Sequence, residues 1–289
     1  MPAADKAPWN FDDAVAKRMT FDHIFKTSQS SEMADWWLCN TAYNIEAKAC
    51  SLLPKILPIG PLMANDQSAS NPKNILGSHF WIEDSSCLSW LDQQKPCSVI
   101  YIAFGSSTVH DKAQFQELAL GLELTGRPFL WVVRPGFISE LGKNTTFNPN
   151  GIFEENYNNK NNLGKIVNWA PQQKVLVHPS IACFVSHCGW NSTIEGISNG
   201  VPFLCWPYFA DQFANKSYIC DIWKVGMGFQ PSVNGIVLRE EVKNKVDQLL
   251  GDEDIKRRSL ELKEMVMKDL AQDGQSSKNF NNFINWLEA

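Results

Sequence analysis

From residue 86 onward the chain alternates short apolar runs with stretches of helical periodicity. The runs SVIYIAFGSS (98–107), PFLWVVR (128–134), GKIVNW (164–169), IACFVS (181–186), PFLCWP (202–207) and GMGFQ (226–230) predict strands. They are rich in β-branched and aromatic residues and lack polar alternation, as expected of strands buried on both faces. Between the first two lies Ala113 to Leu124, with Phe115, Leu118, Ala119 and Leu122 on one helical face. Helical segments also separate the later runs, and three more follow at about 238–250, 255–271 and 277–288. Such alternation predicts an α/β unit, a parallel sheet covered by helices on both sides.

The preceding part reads differently. Residues 1–35 are polar and helix-like with no clear strand, WWLCNT and a helical EAKACSLL follow, and ILPIGPL forms a short strand punctuated by Pro58, Gly60 and Pro61. A polar, irregular stretch then reads as a linker. The expected divisions are a first unit over 1–64, a linker over 65–85, a main unit over 86–272 and a terminal helix over 273–289. Residues 135–164, rich in Asn and Gly, read as a surface excursion with room for one short helix.

Two predicted strands end in polar turns, Gly105-Ser106-Ser107 and His187-Cys188-Gly189-Trp190-Asn191-Ser192. In parallel sheets ligands bind beyond the carboxyl ends of the strands, so both turns are expected at one cleft. The second turn runs into a helix, whose unpaired backbone N–H groups and positive dipole end suit an anion without a dedicated basic side chain.

Composition narrows the ligand. With 289 residues, 44% hydrophobic content and a net charge of -5, the chain has material for a large core and no polybasic surface. The longest basic block is Lys256-Arg257-Arg258, which argues against nucleic acid or a membrane surface as partner and for a small neutral or anionic ligand. The eight cysteines form no CxxC pair, and no signal peptide or membrane span is evident, so reduced thiols and a cytoplasmic location are expected. Asp252-Glu253-Asp254 has the spacing of a metal-binding carboxylate motif but lies in a charged turn between late helices, where a solvated helix start is expected. No metal or organic cofactor is expected.

The stretch from Trp169 to Gln212, WAPQQKVLVHPSIACFVSHCGWNSTIEGISNGVPFLCWPYFADQ, resembles the secondary-product glycosyltransferase box of plant UDP-dependent glycosyltransferases over all 44 of its residues. FGSS, QELALGLE and FLWVVR upstream fit the same family. The resemblance implies the GT-B architecture, two facing Rossmann-like domains with the C-terminal one binding a UDP-sugar. It implies that Trp169 stacks on uracil while Ala170 bonds the base edge, that Gln172 and Glu195 hold the ribose, and that His187, Asn191 and Ser192 contact the diphosphate with either Ser106 or Ser107. It matches Trp190, Asp211 and Gln212 to the sugar, with glucose as the usual hexose. Taken alone, Trp169 could instead be a core tryptophan and Glu195 a solvated helix residue, while Asp211 could also cap the helix begun by QFANKSYICDIW. The terminal helix is expected to cross back onto the first unit.

The family's catalytic base is a histidine in a Gly-His-x-x-Pro turn near the start of the N-terminal domain, and this chain contains no such turn. Of His23, His79, His110, His178 and His187, only His23 lies in the first unit, in a helix-like context. The catalytic residue is therefore unassigned, and the chain reads as a form shortened in its acceptor half. The expected activity is metal-independent transfer of glucose from UDP-glucose to a hydroxyl of a small acceptor, with inversion, by a monomer. The alternative is a UDP-sugar-binding module without turnover. A nicotinamide oxidoreductase is disfavoured, because the first strand of the main unit ends in FGSS and lacks GxGxxG.

Overall fold

The computed structural model describes residues 14–62, 81–137 and 163–289. The expected linker and the surface excursion fall largely outside these residues, as does His79. The first unit contains helix α1 (Ala14–Ser31), strand β1 (Trp37–Cys39), a single 3₁₀ turn (Tyr43–Ile45), helix α2 (Ala47–Leu52) and strand β2 (Ile56–Pro58). β1 and β2 pair in parallel, Trp37 opposite Ile56 and Cys39 opposite Pro58. β1 is the one strand of the described residues that the apolar pattern does not announce: it lacks the Pro and Gly punctuation that marks β2.

The main unit runs α3 (Ser86–Leu91), β3 (Val99–Ala103), α4 (Lys112–Leu124), β4 (Phe129–Val132), β5 (Gly164–Val167), α5 (Gln172–Leu176), β6 (Ile181–Ser186), α6 (Trp190–Asn199), β7 (Phe203–Cys205), α7 (Gln212–Ser217) and β8 (Gly226–Gly228). Helices α8 (Arg239–Gly251), α9 (Glu253–Leu270) and α10 (Gln275–Leu287) complete it. The six strands form one parallel sheet in the order β5-β4-β3-β6-β7-β8. That is the doubly wound order, and it reverses between β3 and β6, where the neighbouring crossovers leave on opposite faces and open a crevice.

Alternation along each strand feeds two cores. Val99, Tyr101 and Ala103 of β3 join Phe184, Ile194 and Leu262 on one face. Ile100 and Ile102 join Phe115, Leu118, Leu122, Trp131 and Val242 on the other. β3, β4, β6 and β7 are buried throughout. Each fully buried Leu, Ile or Phe in these layers contributes on the order of 1.5–3 kcal/mol, which makes the sheet a rigid platform for the loops at its ends.

Local signals set the helix ends. Asp111 and Asp252 cap α4 and α9, accepting from the Gln114 and Ile255 amides at 2.7 and 2.9 Å. Asp252 thus starts a helix, with Glu253 and Asp254 in the first turn beside Lys256 and Arg257. Gly200 closes α6 in the left-handed conformation, at φ 70°, that favours glycine. The helix expected over QFANKSYICDIW departs from regularity, since α7 passes into a π turn at Tyr218–Ile222.

Candidate functional site

The β3 and β6 loops meet at the switch point. Gly105 follows β3 with φ +68°, and a Cβ added there would lie 2.6 Å from His187 Nε2. A Cβ at Gly189 would come within 2.4 Å of the same atom. Two glycines therefore clasp the imidazole, one needed for both its conformation and its size, the other for size alone. Ser106 and Ser107 sit exposed on the β3 loop with their hydroxyls 3.5 Å apart.

Between His187 and Gly189, Cys188 adopts φ 64°, an unusual conformation for a residue with a side chain. It is held from both sides: its N–H donates to Ser186 Oγ at 3.0 Å, and its carbonyl accepts from Asn215 Nδ2 at 2.9 Å. Strain of this kind persists where surrounding contacts over-determine the backbone. The result aims α6 at the crevice. Gly189 supplies no side-chain cap, so the first-turn N–H groups of α6 stay open to an anion.

His187 is neutral at pH 7. Burial pushes its pKa down to about 4, a shift that the Asp211 charge and the Ala103 carbonyl only partly oppose. Among the described residues its buried Nδ1 finds no hydrogen-bond partner of ordinary geometry. A neutral imidazole can donate one N–H to a phosphate oxygen, but it brings no charge to the seat.

The ribose candidates form a connected network. Gln172, at the first position of α5, accepts from Tyr101 Oη at 3.1 Å and donates to Ser192 Oγ at 2.9 Å and Glu195 Oε2 at 2.6 Å. Gln173 donates to the other Glu195 oxygen at 3.4 Å. Burial raises the Tyr101 pKa well above its usual 10, with the Glu195 charge adding to the effect, so the phenol remains a donor. Glu195 is thus an oriented, partly buried carboxylate.

The remaining candidates surround this pair of centres. Trp169 is half-buried at the end of β5, packs against the core and accepts through its carbonyl from the Asp84 N–H at 2.8 Å. Ala170 is buried beside it. Asn191 is exposed on α6. Asp211 stands at the start of α7 without capping it; its carboxylate accepts from Asn215 Nδ2 at 2.9 Å instead. Gln212 is 5% exposed, and its Oε1 accepts from the Tyr208 and Phe209 amides at 2.7 and 3.0 Å. Two backbone donors on one side fix the orientation of that amide and leave its NH₂ as a donor. Trp190 opens α6, and its indole N–H donates to the Asn40 carbonyl at 2.9 Å, in the first unit.

None of the four described histidines is a paired base at the strand ends. His23 is exposed on α1. His110 is enclosed by Phe104, Phe137 and Trp206. His178 does pair with a carboxylate, Asp92 at 3.2 Å, but it precedes the amino end of β6, on the opposite side of the sheet from the crevice. Among the described residues no group of three or more His, Cys, Asp or Glu could hold a metal ion, and no helix is long and apolar enough to cross a membrane.

Residues 80–273 match the family described as UDP-glucoronosyl and UDP-glucosyl transferase. The chain belongs to the UDP-glycosyltransferase family. UDP-glycosyltransferase 83A1 of Arabidopsis thaliana is 45% identical over 275 residues, covering 95% of this chain and 55% of that protein. 7-Deoxyloganetin glucosyltransferase of Catharanthus roseus is 37% identical over 92% of this chain and 54% of its own length. Among solved structures, Phytolacca americana UGT2 complexed with UDP-2fluoro-glucose and pterostilbene aligns at TM-score 0.77 and 30% identity, over 98% of this chain and 59% of that one. Os79 of O. sativa in complex with UDP aligns at 0.73 and 33% identity, over 85% and 54%. The fold is the α/β fold of these GT-B glycosyltransferases, and the chain spans about half the length of the curated relatives it matches.

In this member of the family, three residues that support the site lie outside its sequence motif. Tyr101 orients Gln172, Asn215 ties Cys188 to Asp211, and Arg134 grips the β3 loop. FLWVVR does end in that arginine, and a charged residue closing an otherwise apolar run is a signal visible in the sequence.

Proposed function

We propose that the chain binds UDP-glucose in the crevice between β3 and β6 and that the protein transfers glucose to a hydroxyl of a small acceptor, with inversion and without a metal. The uracil lies on Trp169 with Ala170 at its edge, and the ribose hydroxyls lie at Gln172 and Glu195. The diphosphate rests on the first turn of α6 with His187, Asn191, Ser192 and a serine of the β3 loop. The hexose reaches Asp211, Gln212 and the start of α6 at Trp190. The carrying observation is the network in which Gln172 joins Ser192 to Glu195, because it links the ribose candidates to the helix end that suits a diphosphate. A single displacement follows from that pose. The acceptor oxygen attacks the anomeric carbon as its bond to the diphosphate oxygen breaks, the helix end takes up the departing charge, and a base removes the acceptor proton. The expected setting is a cytoplasmic monomer.

Titration of the 289-residue chain with UDP and UDP-glucose tests this reading, with EDTA expected to change neither affinity. Glu195→Ala should weaken UDP by about tenfold or more, the scale of a lost hydrogen bond to a charged group, without lowering the melting temperature by more than a few degrees. Unchanged affinity would sink the ribose assignment. A second reading, UDP-sugar binding without turnover, is favoured by the lack of a paired base histidine at the strand ends among the described residues. Glucoside formation by this chain with any hydroxylated acceptor excludes it.

A further inference from the structure

Arg134 follows β4 and is only 7% exposed, yet its hydrogen-bond partners among the described residues are all neutral. Its Nε donates to the Gly105 carbonyl at 3.4 Å, its Nη2 to the Thr108 carbonyl at 2.6 Å and its Nη1 to its own neighbour's carbonyl, Pro135, at 3.2 Å. Among the described residues it forms no ion pair with any carboxylate. Burial draws its pKa down, and no acidic group is among the causes to offset it. A buried charge without a counterion is costly and is normally paired.

The position of the charge gives it a use. The two loop carbonyls that it grips flank Ser106 and Ser107, and Gly105 lies against the His187 ring. His187 is uncharged at neutral pH. We infer that Arg134 is a positioning residue whose charge, lodged behind the Gly105–Thr108 loop without a counterion among the described residues, is completed by the diphosphate of the bound nucleotide. It acts through the loop, by holding the serine hydroxyls in place and by adding a positive potential under them. The inference rests on the donor-site reading above.

The test compares UDP with uridine, which shares the base and ribose but carries no phosphate. Arg134→Lys keeps the charge and loses the fork, whereas Arg134→Gln keeps a donor for the carbonyls and loses the charge. In Arg134→Gln the preference for UDP over uridine should fall by about tenfold, the scale of one unit charge acting through the protein's effective dielectric over roughly 10 Å. Arg134→Lys should keep that preference within about threefold. Uridine affinity should stay within about twofold in both, because the Trp169 and Glu195 side of the site is untouched. A preserved preference in the Gln variant overturns the inference, as does a parallel fall of UDP and uridine. Should Arg134→Gln fail to fold, a tenfold loss of preference in the folded Lys variant overturns it equally. If the unmodified chain binds uridine but prefers UDP to no degree, the diphosphate seat itself is misplaced and both readings fall.

Discussion

At the scale of single residues, the chemistry of the crevice is set by how burial treats its titratable groups. His187 and His110 are both pushed down to about 4, in each case chiefly by burial. In the unfolded chain both titrate near 6.5, so the folded state binds fewer protons between these values. The resulting contribution to stability is complete above about 6.5 and drains away as pH falls toward 4. From pH 7 to pH 5 the loss is roughly 2 kcal/mol for the deeply buried His110 and somewhat less for His187. Urea unfolding at the two pH values measures it. His110→Phe should remove about half of the acid-side slope, because a phenyl ring suits the edge-on contacts with Phe104 and Phe137 at 4.9 and 5.1 Å. An unchanged slope would mean that His110 is not held neutral. Gln172, Ser192 and Glu195 lie within one 44-residue stretch and could be grouped as candidates from the chain, and the structure joins them in one hydrogen-bond network. The links from Tyr101 to Gln172, from Arg134 to the β3 loop and from Asn215 to Cys188 could not be read there, since those partners are brought together only by the sheet and its crossovers.

At the scale of elements, the apolar runs announce the strands and the helical periods announce their cover, to within a few residues at each end. The exceptions have physical causes. β1 has no Pro or Gly punctuation and is stabilised by pairing with β2, and the π turn after α7 breaks a run that composition alone reads as helical. Packing distance is likewise hidden from pattern. Gly196 faces β7 so closely that an added Cβ would lie 2.2 Å from Phe203 Cζ, and Phe203 is fully buried and has nowhere to move. Gly196→Ala should therefore lift α6 from the sheet, costing about 1–3 kcal/mol by overpacking. Because the anion seat is the first turn of that helix, UDP affinity should fall with it. Gly251, the last residue of α8, has nothing within 4 Å of the added Cβ, and Gly251→Ala should be neutral or stabilise by about 0.5 kcal/mol. Equal effects of the two substitutions in urea unfolding would show that the Gly196 contact does not constrain the helix.

At the scale of the molecule, strand–helix alternation predicts a parallel sheet but carries no information about strand order, and it is the order that brings the β3 and β6 loops together. Nor does it show how the first unit is held. Three joints do this: Trp190 Nε1 to the Asn40 carbonyl at 2.9 Å, Trp223 Nε1 to the Ile45 carbonyl at 3.0 Å, and Asn44 to the buried Asp269 carboxylate through its N–H at 2.7 Å and its amide at 2.6 Å. α10 adds a fourth, Asn279 Nδ2 to the Pro58 carbonyl at 2.8 Å, with Phe283 and Trp286 against Trp36. Hydrogen-bonded partners 150 to 225 positions apart leave no trace in local pattern. The first joint also bears on Trp190, whose indole N–H already donates to the Asn40 carbonyl, so that a hexose would meet the start of α6 there through other atoms. Trp190→Phe keeps an aromatic ring on α6 and removes that donor. It should cost about 1–2 kcal/mol in urea unfolding, from the lost hydrogen bond and some packing, while UDP and UDP-glucose affinities stay within about twofold. The opposite result, full stability with a selective loss of UDP-glucose over UDP, would assign the indole N–H to the sugar and make the Asn40 contact incidental.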